Sequence, residues 1–270
     1  MDTSSYGITE RMTAISDAAL HAERIRLVGF TILPEVFTPA EAADISARLD
    51  ALLQRQIDEA GGVEQLAGDQ ETVRCCLAYD DTFVRLASAA PVLDVCRHLL
   101  GDFFVLMQQN GVVNPPSRQH TQRAYHRDLP YQHFVSSRPI AISALFCAEP
   151  FTVVNGGTVV LPGSHKVEEF PSDAAVDALQ RPLEAPAGSF CMFDSMLFHR
   201  AGDNQSGHPR RGVNHVYTLP FVAQQISLPD ALGGRYADVP SLARLFGYST
   251  APAKSVTAWR DRRRQRTPAP

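Results

Sequence analysis

The chain has 270 residues, 44% of them apolar and 20% charged, with a net charge of −4. That length carries one large domain or two small ones, and the charge excludes a general basic field for nucleic acid or an anionic membrane. No apolar run approaches the roughly 20 residues of a spanning helix.

Met1–Tyr6 lacks a basic n-region and an apolar stretch, so no signal peptide is expected and a cytoplasmic location is the default. The five cysteines (Cys75, Cys76, Cys96, Cys147, Cys191) are odd in number and form no C-x-x-C pair. They read as buried thiols rather than as a disulfide framework or a zinc ribbon.

Residues 1–25 read as a loose leader with a short helix near Ile15–Arg24. Val28–Pro34 is rich in β-branched and aromatic residues and predicts a strand. Thr38-Pro39-Ala40-Glu41 is a helix start with a capping box. Ile45, Leu49, Leu52, Leu53 and Ile57 follow at helical spacing, and Gly61-Gly62 marks the end. Residues 63–80 give no clear pattern. Ala90–Gly101 predicts a second helix with Pro91 in its first turn, and His98 on it reads as a packing or surface residue.

Beyond Gly101 the pattern becomes β-like. Phe103–Gln109, Arg138–Cys147, Gly157–Leu161, Gly188–Phe193 and Gly212–Val222 are short runs separated by turn residues. Such spacing predicts an all-β sandwich or barrel over about 100–225, with the two preceding helices packed outside one sheet. Residues 223–250 return to loop and short helix, and the basic tail from Trp259 to Pro270 reads as a solvated, loose end. The whole is read as a single domain: leader 1–25, helical flank about 26–100, β core about 100–225, and tail 251–270.

The chemistry concentrates at Tyr125–Tyr131. His126 and Asp128 stand two apart, and on an extended strand such residues share a face. Further on, His199 follows the apolar run Phe190–Phe193 and opens a Gly/Asn-rich loop. Two histidines and one carboxylate are the ligand set of non-haem iron(II) oxygenases. A pair of basic residues, Arg210 and Arg211, begins 11 positions after His199, and Asn155-Gly156-Gly157 through Pro162-Gly163-Ser164-His165-Lys166 lies between the two ligand segments.

On these motifs the chain resembles the phytanoyl-CoA dioxygenase-like branch of the iron(II)/2-oxoglutarate-dependent oxygenases, over about residues 25–222. The resemblance implies a mainly β fold with flanking helices, a double-stranded β-helix of the jelly-roll or cupin-like barrel type. It implies His126, Asp128 and His199 as ligands of Fe(II), with 2-oxoglutarate and O2 as co-substrates. The distal carboxylate of 2-oxoglutarate needs a cation, and a guanidinium fork matches it. Arg210 is the matching position and Arg211 the fallback, since neighbours on a strand face opposite ways. Gln109 is the further co-substrate contact, with Gln108 or Asn110 as alternatives, and Thr158 could offer its hydroxyl. Tyr131 and His133 are expected at the pocket mouth. Phe146, Phe193 and Tyr217 are the candidates for an aromatic wall, because the only tryptophan is in the tail.

His165 is read as bracing its turn, and Arg127 as pointing away from the metal. The resemblance implies Gly-Ser after the distal histidine in many relatives; this chain has Arg200-Ala201 there, so that hydroxyl is missing. A retained Asp128 favours hydroxylation or a related oxidation over halogenation. Arg118, Arg123, Arg127 and Arg138 around the motif permit an anionic substrate. The expected partner is a small molecule, with neither nucleic acid nor membrane, and the oligomeric state is not legible. Two other readings keep the β core: a cupin-like isomerase or hydrolase using another metal, and a non-catalytic binding module in which His126 and Asp128 are loop hydrogen-bonders.

Overall fold

The structure is a computed structural model that describes residues 13, 15–116, 121–129 and 132–266. Its frame is a six-stranded antiparallel sheet built from β1 (Phe30–Leu33), β2 (Thr72–Arg74), β3 (Val105–Asn114), β4 (Ala141–Cys147), β7 (Phe190–Asp194) and β9 (Arg210–Thr218), in the order β1-β7-β4-β9-β3-β2. The small strands β5 (Val159–Val160), β6 (Arg181–Pro182) and β8 (His199–Arg200) make a second sheet, β6-β5-β8.

One face of the large sheet lies under helices. Helix α1 (Asp17–Val28) ends where Gly29, at φ 94°, donates its N–H to the Ile25 carbonyl. That left-handed turn suits glycine and moves the strand start from the expected Val28 to Phe30. Helix α2 (Pro39–Ala60) has the expected capping box between Thr38 and Glu41 and buries Ile45, Leu49 and Leu52 against the sheet. Alternation along the strands supplies the other half of this core: Ala144 and Phe146 from β4, Phe190 and Met192 from β7, and Val213 and Tyr217 from β9. The unassigned stretch 63–80 holds β2 and a short helix, Cys76–Tyr79.

The opposite face looks toward the small sheet. Leu145, Cys191 and Phe193 of the large sheet share an apolar layer with Val160 and Leu183 of the second layer. All five cysteines are buried and free, and burial raises the Cys76 thiol to about 12. The expected loose tail instead forms a helix over Val256–Arg266. Among the described residues no helix is long and apolar enough to cross a membrane.

Candidate metal centre

His126 and His199 meet as neighbouring strand positions. The His126 N–H donates to the His199 carbonyl at 2.9 Å, and the His199 N–H donates back at 3.0 Å. This two-way bridge sets the rings side by side, centroids 4.4 Å apart. Asp128 is fixed by its own backbone, whose N–H donates to the Ser195 carbonyl at 3.0 Å. One ligand-type atom from each of His126, Asp128 and His199 lies within 4.8 Å of the others, and His199 Nε2 stands 3.4 Å from Asp128 Oδ1.

The hydrogen bonds around these side chains orient them for a cation. His126 Nδ1–H donates to the Ala124 carbonyl at 2.9 Å and His199 Nδ1–H to the Leu197 carbonyl at 3.0 Å. Both rings are thereby held in the tautomer that leaves Nε2 as an unprotonated donor atom. On Asp128, Oδ2 accepts from the Ser143 hydroxyl at 2.5 Å and from Asn214 Nδ2 at 3.0 Å, and the Ser195 hydroxyl donates on to Ser143 at 2.8 Å. Oδ1 is left facing the histidines. Burial alone would raise the Asp128 carboxyl, but His199, His126 and the Ser143 hydroxyl outweigh it and hold it well below the usual carboxylate range. Burial lowers His126, with His199 adding to the effect. Burial also opposes the charge on His199, yet Asp128 wins and raises it.

Arg210 lies beyond this cluster, on the same cleft as His126, Asp128, Thr158, His199 and Asn214. It is 2% exposed. Its guanidinium sits 4.4 Å above the Phe151 ring, and Nη2 donates to the Gly156 carbonyl at 3.1 Å. Nε has no hydrogen-bond partner among the described residues. Burial lowers its pKa to about 10. A buried, charged guanidinium without a carboxylate is costly, and an entering carboxylate would relieve that cost. Thr158 is buried on the same cleft.

The cleft floor depends on close backbone approach. A Cβ on Gly156, itself at φ 73°, would meet the Gly202 carbonyl at 2.6 Å, and one on Gly202 would meet the Gly157 carbonyl at 2.4 Å. Asn114 seals the junction by donating to the Gly156 and Gly202 carbonyls. The Asn-Gly-Gly motif thus brings the loop after His199 against the segment that carries Thr158.

Other expected residues lie elsewhere. Arg211 faces the helices and pairs with Asp50 of α2 and with Glu149, so the fallback role of this residue falls away. Gln109 also faces the helices: it donates to the Phe83 carbonyl at 2.7 Å and to His215 Nε2 at 2.9 Å. The expected co-substrate contact at Gln109 is therefore corrected. A bulge at Leu106/Gln108 shifts the register, and Gln108 is the residue that lines the cavities beside Asp128. Phe146 is corrected too, since it is fully buried on the helix side against Phe37 and Phe190. Tyr217 likewise faces the helices and donates to the Ala87 carbonyl. Phe193 remains, its ring 4.6 Å from that of His199. His133 is exposed and lines none of the cavities around Asp128, whereas its neighbour Phe134 does. Tyr131 lies outside the described residues.

Arg127 points away from the metal position. It is buried among the carbonyls of Met196, Gln132, Ser164 and Val167, stacked over Phe198 at 3.9 Å. His165 is buried against Gly29 and bonds the Arg26 carbonyl. Ala201 lines the cleft and offers it no hydroxyl. Ser143 and Asn214 were not singled out from the sequence. A signal existed: Asn214 shares strand parity with Arg210, and Ser143 is the one polar residue in Ala141–Cys147.

The family model described as phytanoyl-CoA dioxygenase (PhyH) matches residues 25–212. An uncharacterized protein of Mycobacterium tuberculosis (strain ATCC 25618 / H37Rv) is 32% identical, covering 78% of this chain and 79% of its own length. The ectoine dioxygenase of Streptomyces anulatus is 26% identical, covering 77% and 82%. The epimerase SnoN, solved in complex with Fe3+, alpha ketoglutarate and nogalamycin RO, superposes with a TM-score of 0.60 at 20% identity, over 81% of this chain and 91% of that one. At that identity the likeness is one of fold. The family match spans most of the chain and includes His126, Asp128, His199 and Arg210, and the chain belongs to the phytanoyl-CoA dioxygenase (PhyH) family.

Proposed function

We propose that this chain is an iron(II)- and 2-oxoglutarate-dependent oxygenase that oxidises a small molecule at an unactivated C–H bond. The observation that carries the reading is the pairing of two features in one cleft: a His-Asp-His cluster and a buried guanidinium that lacks a carboxylate. His126, Asp128 and His199 would hold the iron, and the two histidines present Nε2 because their Nδ1–H groups are engaged. Arg210, with the Thr158 hydroxyl, would grip the distal carboxylate of 2-oxoglutarate. Bound iron, with 2-oxoglutarate and O2, supplies the oxidising power, and succinate and CO2 are the co-products.

The chain's own work is placement. Ser143 and Asn214 occupy one oxygen of Asp128 and turn the other toward the metal position. The apolar layer around Phe193 and Leu145 keeps the cleft dry, which strengthens every charge interaction in it. Hydroxylation is favoured over halogenation because Asp128 occupies the coordination position a halide would need. The two sheets are read as the halves of a double-stranded β-helix. A cupin-like isomerase or hydrolase would leave Arg210 without an ion to meet.

The test is oxygen-dependent succinate formation from 2-oxoglutarate with added Fe(II). Wild type should form succinate, His126→Ala should not, and His165→Ala should retain the activity. Equal loss in both variants would count against the assignment.

A further inference from the structure

A second cavity, about 710 Å³, opens beside Asp128, which lines both it and the Arg210 cleft. Its walls are Met107, Leu129, Ile140, Met196 and Val222, and two exposed phenylalanines, Phe134 and Phe221, stand on its lining. Among the described lining residues there is no lysine, arginine or histidine, and Asp128 is the only charge. The arginines that flank the motif are committed elsewhere or lie off this lining. Arg127 is consumed by backbone carbonyls, Arg123 is paired with Asp203, and Arg138 is exposed and not on this lining. Arg118 lies outside the described residues.

Three amides reach this cavity, and only one of them is without a described partner at both its oxygen and its nitrogen. Gln224 donates to the Leu106 and Phe246 carbonyls and accepts from the Leu228 N–H. Gln225 accepts from Asn110 and Arg74. The Gln108 side chain makes no hydrogen bond to another described residue and borders both this cavity and the polar groove beside His126.

We infer that the substrate of this site is an uncharged, predominantly apolar molecule of drug-like size, seated in the Met107–Leu129–Met196 cavity and oriented by one hydrogen bond to the Gln108 amide. The inference rests on the oxygenase reading for what happens at the metal, but the cavity's chemistry stands apart from it. A volume in the range of small-molecule pockets, apolar walls and a single amide open at both its oxygen and its nitrogen are the composition of a site that binds by burial and orients by a polar contact. A polyanionic carrier such as a coenzyme A thioester would need guanidinium or ammonium partners for its phosphates, and the described lining offers none. Exposed Phe134 and Phe221 fit a mouth that first meets an apolar molecule.

The experiment is fluorescence titration with N-phenyl-1-naphthylamine, an uncharged apolar probe. Saturable binding to wild type is expected, weakened at least tenfold by Ile140→Glu. Val222→Trp, which fills the cavity without adding a charge, should do the same and guards against a folding defect in the first variant. Millimolar coenzyme A should not displace the probe. Absence of saturable binding, indifference to both substitutions, or displacement by coenzyme A would overturn the inference. Titration of 2-oxoglutarate into the Ni(II)-loaded wild type separates the two claims. Probe binding without 2-oxoglutarate binding sinks the oxygenase reading and leaves the apolar cavity, whereas the reverse sinks the cavity inference alone.

Discussion

Arg210 and Arg211 are neighbours on β9 and face opposite ways. Arg210 is buried over Phe151 with an Nε that has no partner among the described residues, while Arg211 reaches back to Asp50 and Glu149 and ties the sheet to α2. Strand alternation alone puts one guanidinium on the cleft and makes the other a structural clamp. The two substitutions should therefore divide cleanly. Arg210→Ala should weaken 2-oxoglutarate binding by ~30-fold or more, since removing one partner of a buried charged pair costs about 2 kcal/mol or more. Arg211→Ala should leave that affinity near wild type and cost about 1 kcal/mol of stability, because its partners are partly exposed. Calorimetry of 2-oxoglutarate binding and thermal unfolding check the two halves.

Ser143 and Asn214 both donate to Oδ2 of Asp128. Neither touches a metal, yet losing groups that orient a ligand typically costs ~10- to 100-fold in metal affinity. Ser143→Ala and Asn214→Ala should each fall in that range by competitive Fe(II) chelation under anaerobic conditions. Affinity unchanged in both would show that Asp128 is oriented by its backbone alone.

Asp194 sets a pH dependence of stability away from the metal. Burial raises its carboxyl to about 6, against the opposing pull of the Met196 N–H, Lys166 and Arg127. The folded state thus prefers the protonated acid. That contribution is full below the unfolded value near 4 and is lost as pH rises through about 6. Above that the buried carboxylate costs up to about 3 kcal/mol. Asp194→Asn should raise the melting temperature at pH 7.5 and change it little at pH 4; a shift equal at both would refute this.

Arg127 joins the segment carrying the ligands to the Pro-Gly-Ser-His-Lys turn through four carbonyls. Arg127→Met keeps much of the packing over Phe198 but leaves the Met196, Gln132 and Val167 carbonyls without this donor, at a cost of about 3 kcal/mol or more. Limited proteolysis should show earlier cleavage near residues 127–134 and 164–168, and Fe(II) affinity should fall with it.

Much of this site was legible in the chain. The His126-x-Asp128 spacing brings both side chains to one cluster while Arg127 turns away, and Gly156-Gly157 is required by contact with Gly202. The capping box at Thr38 and Glu41 marked α2 to the residue. What could not be read was which face each β residue takes once a strand is irregular. The bulge between Leu106 and Gln108 exchanges the faces of Gln108 and Gln109. Every residue of β4 is buried, so only Ser143, of opposite parity to Phe146, marked the face that Phe146 turns away from. The tail composition suggested a loose end, yet its five arginines suit the helix found over Val256–Arg266.

The link between the His-Asp-His cluster and Arg210 is tested most directly by calorimetric titration of 2-oxoglutarate with and without Ni(II). One site per chain is expected in the metal-loaded wild type, with binding lost in metal-free protein, in Asp128→Ala and in Arg210→Ala. Equal binding in the presence and absence of metal, or full binding by Arg210→Ala, would contradict a single site shared by metal and dicarboxylate.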